Sequence, residues 1–292
     1  MSGTISSRFK QIGIVYQNKN TETLLSVKRL ISFLSALKIA YCESVITSRA
    51  DLSDLDLKKA TVLKDCDLII VLGGDGSMLA AVRALAAFDI PLLCINLGRL
   101  GFLADIPSSE MESVLEKIFA GELREEQRLM LNLEIIRNDK VITTQTAFNE
   151  VVVVKSEVMR MIEFETIVDG HSVSEQRGDG TIISTPTGST AYSLSSGGPI
   201  VYPSMEAILL VPISPHAMGV RPMVIPSSSC VEIKLIAGRV NEARVSYDGQ
   251  GILALLPGDL VRITTSPHRI RLIHPADYDY FELLRAKLHW GK

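Results

Sequence analysis

Apolar and polar positions change their period twice along the chain. From Phe9 to about Leu97, short apolar runs alternate with stretches of helical spacing. Residues 12–16 read as a strand, and Leu24, Val27, Leu30, Ile31, Leu34 and Leu37 then share one helix face. Residues 68–72 and 91–95 are apolar without alternation, the pattern of parallel strands covered by helices on both faces, with a helix over 77–87 between them. Ser109 with Glu112 predicts a capping box for a helix over about 110–120, closed by Gly121. From Arg128 to Ile273 the period becomes two, as in Leu131, Leu133 and Ile135 or Val231, Ile233 and Leu235, with turn pairs Asp169-Gly170 and Asp248-Gly249. The tail, 278–290, regains helical spacing through Phe281, Leu284 and Leu288. The reading is an α/β N-terminal domain with a parallel sheet over 1–125, a β-rich C-terminal domain over 126–275, and a C-terminal helical segment, 276–292, packing back on the first domain.

Composition narrows the class of function. The chain has 292 residues, 47% hydrophobic and 22% charged, with a formal net charge of −3 and scattered Lys and Arg. That balance disfavours sequence-independent binding to nucleic acid or anionic membranes, so an anionic ligand needs a local site. Cys42, Cys66, Cys94 and Cys230 are far apart, which suggests reduced cysteines rather than a disulfide framework or zinc knuckle. The polar residues 1–10 lack an apolar core, and no stretch reaches the roughly 20 apolar residues of a membrane span. A cytoplasmic protein is expected.

Chemistry concentrates in two glycine-rich clusters. Gly73-Gly74-Asp75-Gly76 follows the apolar run 68–72, setting a carboxylate on a bare-backbone turn where a buried strand should end. Ligands of α/β proteins collect there, and the glycines let the main chain approach a phosphate. Asp75 can accept a proton, hold a metal, or do both. The second cluster, Asp179 to Pro199, is dense in hydroxyls and glycines, including Thr187, Gly188 and Ser189, and suits phosphate and ribose oxygens. Ser189 could cap a following helix; a Ser/Thr-rich surface loop is the plain alternative. Asn149-Glu150 precedes the apolar run 151–154, so both side chains should project at a strand entrance. Arg177 is a candidate phosphate clamp and Arg160 a weaker one. Phe102, Tyr192 and Met78 could line a base pocket or simply be core.

In this order, Gly73-Gly74-Asp75-Gly76, Asn96 to Leu103, Asn149-Glu150, Asp179 to Pro199 and Asp248-Gly249-Gln250 resemble NAD kinases of the bacterial type, over roughly residues 67–284. The resemblance implies phosphorylation of the adenosine 2′-hydroxyl of NAD by ATP, with Asp75 as proton acceptor and the dinucleotide bound between the two domains. It implies NAD contacts at Asp75, Gly76, Phe102, Asn149, Glu150, Arg160, Arg177, Asp179, Thr190, Ala191, Tyr192, Ser195 and Gln250, and ATP phosphate contacts at Gly73, Gly74, Gly76, Thr187, Gly188 and Ser189. A charged residue at Arg177 goes, in that family, with ATP rather than polyphosphate as donor, and the family is usually homo-oligomeric, here expected as dimer or tetramer. A weak base suffices for such a transfer, because phosphoryl transfer to an alcohol is mainly positioning and charge neutralisation.

Missing signals discriminate further. No Gly-x-Gly-x-x-Gly and no P-loop is present, and His171, His216, His268, His274 and His289 show no metal-ligand spacing. Divalent metal, Mg²⁺ by the chemistry, should arrive with ATP. A lipid or sugar kinase would keep the first cluster but not need the second, and a nucleotide sensor would keep the cleft without Asp75.

Overall fold

The computed structural model describes residues 8–17, 21–46, 61–156, 160–236 and 243–289; Trp290, at the end of the expected tail helix, and residues 1–7 of the polar N-terminus lie outside them. The chain divides into two compact units, residues 1–127 with 270–292 and residues 128–269.

The first unit is built on β1 (Gln11–Gln17), β2 (Ala40–Ile46), β3 (Leu68–Gly73), β4 (Leu92–Asn96), the short β5 (Ile106–Pro107) and β6 (Leu123–Arg128). The sheet runs β2-β1-β3-β4, then a strand returning from residues 270–275, then β6, with β5 alongside β4. Strands β2, β1, β3 and β4 pair in parallel. Two-sided burial explains the unbroken apolar runs: Leu68 to Leu72 are all buried on β3. The helices are α1 (Thr21–Ala36), α2 (Asp75–Leu85) and α3 (Met111–Phe119). Helix α1 buries Val27, Leu30 and Leu34 but leaves Leu24 exposed, so its apolar face is narrower than the periodicity implied.

Helix α3 does not start with the expected capping box. A 3-10 turn, Ser108–Glu110, precedes it, the capping position falls on Glu110, and Glu112 instead pairs with Arg29 at 2.6 Å. Its end matches the sequence: Gly121 has φ +98°, and the Gly121 and Glu122 amides donate back to the carbonyls of Ile118 and Lys117.

The second unit has two antiparallel six-stranded sheets. Its strands are β7 (Leu131–Arg137), β8 (Lys140–Ala147), β9 (Glu150–Lys155), β10 (Ile162–Val168), β11 (His171–Gly178), β12 (Gly180–Ser184), β13 (Ala207–Ile213), β14 (Met223–Pro226), β15 (Val231–Leu235), β16 (Ala243–Tyr247), β17 (Gly251–Leu255) and β18 (Leu260–Thr265). One sheet is ordered β11-β10-β15-β18-β7-β8 and the other β14-β13-β12-β9-β16-β17. Alternate residues face a common core: Leu131, Leu133 and Ile135 of the first sheet belong to one cluster with Val151, Val153 and Val245 of the second. Both expected turns are hairpins with left-handed backbone, at Asp169 (φ +52°) and Gly170 (φ +79°) and at Asp248 (φ +51°) and Gly249 (φ +61°). A short helix, α4 (Tyr192–Ser195), lies within the hydroxyl-rich block.

The strand Ile270–Pro275, β19, continues the period-two pattern yet pairs in parallel with β4, Leu272 opposite Leu92. The sequence placed the domain boundary after residue 275; the β-rich unit ends at Arg269. Alternation reports a strand, not the sheet that receives it. Helix α5 (Tyr280–Leu288) is capped by the Asp279 side chain, buries Leu283 and Leu284, and belongs to the first unit. No helix among the described residues is long and apolar enough to cross a membrane.

Candidate functional site

In the first unit, chemistry gathers at the C-terminal ends of β1, β3 and β4. Asp75 is the first residue of α2, where its charge meets the positive end of the helix dipole. Its side chain leaves its own helix and is held by the loop after β4. Oδ2 accepts the Phe102 amide at 2.9 Å, and Oδ1 accepts those of Leu103 and Ala104, each at 3.0 Å. Each such bond to a charged acceptor stabilises by about 1.5–3 kcal/mol. A carboxylate oxygen has two acceptor positions, so Oδ1 is filled and Oδ2 keeps one for a ligand hydroxyl.

The loop is shaped for this grip. A Cβ on Gly101 would lie 1.9 Å from Asp75 Oδ1, so only glycine admits the carboxylate. Buried Asn96 folds the loop from within: its Nδ2 donates to the carbonyls of Arg99 (2.8 Å) and Ala104 (2.9 Å), and its Oδ1 accepts the Gly98 amide (2.7 Å). Beside it lies a crevice of ≈ 230 Å³ lined by Gln17, Gly73, Gly74, Ser77, Gly98 and Arg99 among others. The Ser77 and Met78 amides donate to the Gly74 carbonyl at 2.9 and 3.1 Å, and the positive end of the helix dipole at this glycine-rich N-terminus favours an anion. Gly76 lies exposed outside the crevice lining, and Met78 is core at 1% exposure.

In the second unit, Asp248 is the organiser. Its carboxylate accepts the amides of Phe148, Asn149 and Glu150 at 2.7–3.3 Å, fixing the entrance to β9 from the β16–β17 turn. The sequence marked Asp248 as a turn residue within the Asp248-Gly249-Gln250 motif and gave its side chain no further role. Glu150 does not project from a strand entrance as expected; it is 6% exposed, and its Oε2 is buried with no hydrogen-bond partner. Burial, and then the charge of Asp248, push its carboxyl up to about 8, so it holds a proton at neutral pH and can act as a donor.

Much of the hydroxyl-rich block is consumed internally. Thr185 Oγ1 donates to the Phe148 carbonyl (2.7 Å) and accepts the Gly188 amide (3.0 Å), while a Cβ on Gly188 would lie 2.2 Å from the Asn149 carbonyl oxygen. Ser189 does not cap a helix: its hydroxyl donates to Pro186 (2.6 Å) and accepts the Val201 amide (3.1 Å). These buried hydroxyls are paired within the protein, as most buried polar groups are. Thr187 is buried, with Oγ1 outside any hydrogen bond. Thr190 and Ala191 are half-buried, and Tyr192 and Ser195 are exposed. Asn149 and Gln250 are half-buried and Arg160 and Arg177 exposed. Asp179 pairs with Lys155 at 2.6 Å, and Arg177 lies 3.9 Å from Glu163. In the first unit, half-buried Phe102 has the Lys287 ammonium 5.7 Å from its ring centre.

Comparison with known proteins accounts for both units. The ATP-NAD kinase N-terminal domain matches residues 12–123, and the ATP-NAD kinase C-terminal domain matches residues 148–275. An NAD kinase of Marinobacter nauticus is 43% identical over 288 residues, 97% of each chain, and one of Teredinibacter turnerae is 44% identical over the same share. Among solved structures, yeast NADH kinase complexed with NADH shares the fold with a TM-score of 0.84 at 21% identity, covering 99% of this chain and 93% of that one. The NAD kinase from Archaeoglobus fulgidus in complex with ATP gives 0.74 at 27% identity, covering 96% and 98%. The chain belongs to the ATP-NAD kinase family.

Proposed function

We propose that the protein transfers the γ-phosphoryl group of Mg·ATP to the 2′-hydroxyl of the adenosine ribose of NAD, giving NADP. The observation that carries this is the Asp75 carboxylate, locked by three amides with one acceptor position left on Oδ2. That oxygen orients the ribose hydroxyl and takes its proton as the new P–O bond forms. The hydroxyl oxygen attacks phosphorus and ADP leaves with the bridging oxygen. A fixed carboxylate contributes through positioning, which suits a reaction with little need for a strong base.

The polyphosphate belongs in the crevice at Gly73 and Gly74, with Arg99 beside it as the cation. Mg²⁺ enters as part of the ATP substrate, held mainly by the phosphate oxygens. In the second unit, Asn149, Arg160, Arg177, Asp179, Thr190, Ala191, Tyr192, Ser195 and Gln250 are open enough to contact the dinucleotide. Protonated Glu150 offers a hydrogen bond to a ribose or carboxamide oxygen. Ser189 and Gly188 serve this site as scaffold rather than as phosphate ligands. A homo-oligomer fits the exposed Met223 and Val224 on edge strand β14, and a cytoplasmic setting fits soluble nucleotide substrates.

The test is NADP formation from NAD, ATP and Mg²⁺ by the purified protein, read with an NADP-specific dehydrogenase, alongside polyphosphate as donor and a lipid and a sugar as acceptors. NADP from ATP, with little from polyphosphate, is expected. Phosphorylation of the lipid or sugar in place of NAD would overturn the assignment, and equal use of polyphosphate would overturn the role given to Arg177.

A further inference from the structure

The loop that holds Asp75 is itself gripped from the far end of the chain. Asp105 directly follows Ala104, whose amide binds Asp75 Oδ1. Its Oδ2 lies 2.7 Å from Nδ1 of His274 on β19, and both side chains are buried, at 8% and 2% exposure. The Tyr278 ring stacks on the imidazole with centres 4.0 Å apart, fixing its plane. From α5, the Lys287 ammonium donates to the Leu100 carbonyl and lies over the Phe102 ring. The two contacts bracket residues 100–105, the stretch that supplies all three amides to Asp75.

This arrangement costs stability, which calls for a compensating role. Asp105 Oδ1 and His274 Nε2 are buried with no hydrogen-bond partner. Burying a carboxylate and an imidazole that are only half satisfied is less favourable than packing an apolar pair of the same volume. The two carboxylates, Asp75 and Asp105, also act on one neighbour: burial first, then Asp75, then Asp105 push the fully buried Cys94 thiol up. What an apolar pair could not supply is a directional tie on residue 105.

We propose that His274 and Lys287 are positioning residues for Asp75, holding the Phe102, Leu103 and Ala104 amides where they orient its carboxylate. The role rests on Asp75 as proton acceptor in the reaction above. Neither side chain touches substrate. Each acts through the loop, so the substrate-binding surfaces remain while the reacting oxygen loses its alignment, and a displacement of about 1 Å can cost about 100-fold in rate.

The experiment compares the wild type with His274→Asn, His274→Gln and Lys287→Met as full-length proteins. Asparagine presents an N–H near the position of Nδ1, whereas glutamine presents it near Nε2. His274→Gln should lower kcat by about 100-fold with KM for NAD and ATP within about threefold, while His274→Asn should stay within about fivefold of wild type. Lys287→Met should lower kcat by about tenfold. Hydrogen exchange of the Phe102 to Ala104 amides should quicken in His274→Gln and Lys287→Met but not in His274→Asn. Equal behaviour of the two His274 variants, or wild-type kcat and exchange in His274→Gln, would overturn the proposal. If His274→Gln does not fold, Lys287→Met decides, and wild-type values there overturn it. A wild type that binds NAD but forms no NADP would sink the kinase reading, while the exchange measurement would still judge the grip on the loop.

Discussion

Each unit contains an aspartate whose carboxylate accepts three successive backbone amides, and the two are put to opposite uses. Asp75 takes the amides of residues 102–104 and Asp248 those of residues 148–150. Asp75 stands half-exposed at a helix N-terminus beside a crevice, whereas Asp248 is 5% exposed in a left-handed hairpin turn. The grip is alike; access to a ligand differs. An enclosed carboxylate organises its surroundings and adds its charge to them: burial first, and then Asp248, push the carboxyl of neighbouring Glu150 up. One left open on an oxygen can do chemistry.

Breaking the first grip should have the largest effect. Asp75→Asn places an NH₂ group against one of the three N–H donors and removes the proton acceptor. A fall of about 10³-fold in kcat, with NAD affinity within a few-fold, is expected from steady-state kinetics and calorimetry. Equal loss of binding would make Asp75 a structural residue like Asp248. Asp248→Asn inverts that pattern: loss of about 3 kcal/mol of unfolding free energy in urea titrations, with kcat per folded molecule nearly unchanged. A variant of normal stability and low kcat would erase the distinction between the two aspartates.

Smaller changes sharpen the contrast. Gly101→Ala sets a methyl group 1.9 Å from Asp75 Oδ1, so the carboxylate must move. Turnover should drop by about 100-fold while thermal stability falls only modestly. The smallest effect on turnover accompanies a pH slope in stability. Glu150 titrates near 4.5 when unfolded and near 8 when folded, so the folded state retains its proton across that window. Its contribution to stability is therefore full at low pH and declines as pH rises to about 8, by up to about 1.4 kcal/mol per pH unit. Glu150→Gln mimics the protonated side chain and should remove that decline, which melting curves at pH 6, 7 and 8 would show; an identical slope in both proteins would mean that Glu150 is already ionised.

Sequence alone determined what depends on neighbours a few residues apart. The unbroken apolar run of β3, the glycine turn after it and the period-two pattern of β7 and β15 are local consequences of burial on two faces or one. The Asp-Gly hairpins follow from the left-handed backbone that such turns require. The glycine and hydroxyl motifs likewise located the family and Asp75. Tertiary structure decided the rest, because it depends on which distant segments meet. Asp75 finds its amides 27 to 29 residues away and Asp248 finds its own about a hundred away. Strand β19 carries the pattern of the second unit into the sheet of the first. The hydroxyls of Thr185 and Ser189 were legible as polar but not as satisfied, and Glu150 was legible as charged but not as buried. Periodicity records how a segment meets water or core; it carries no record of which donors and acceptors the closed chain will bring together.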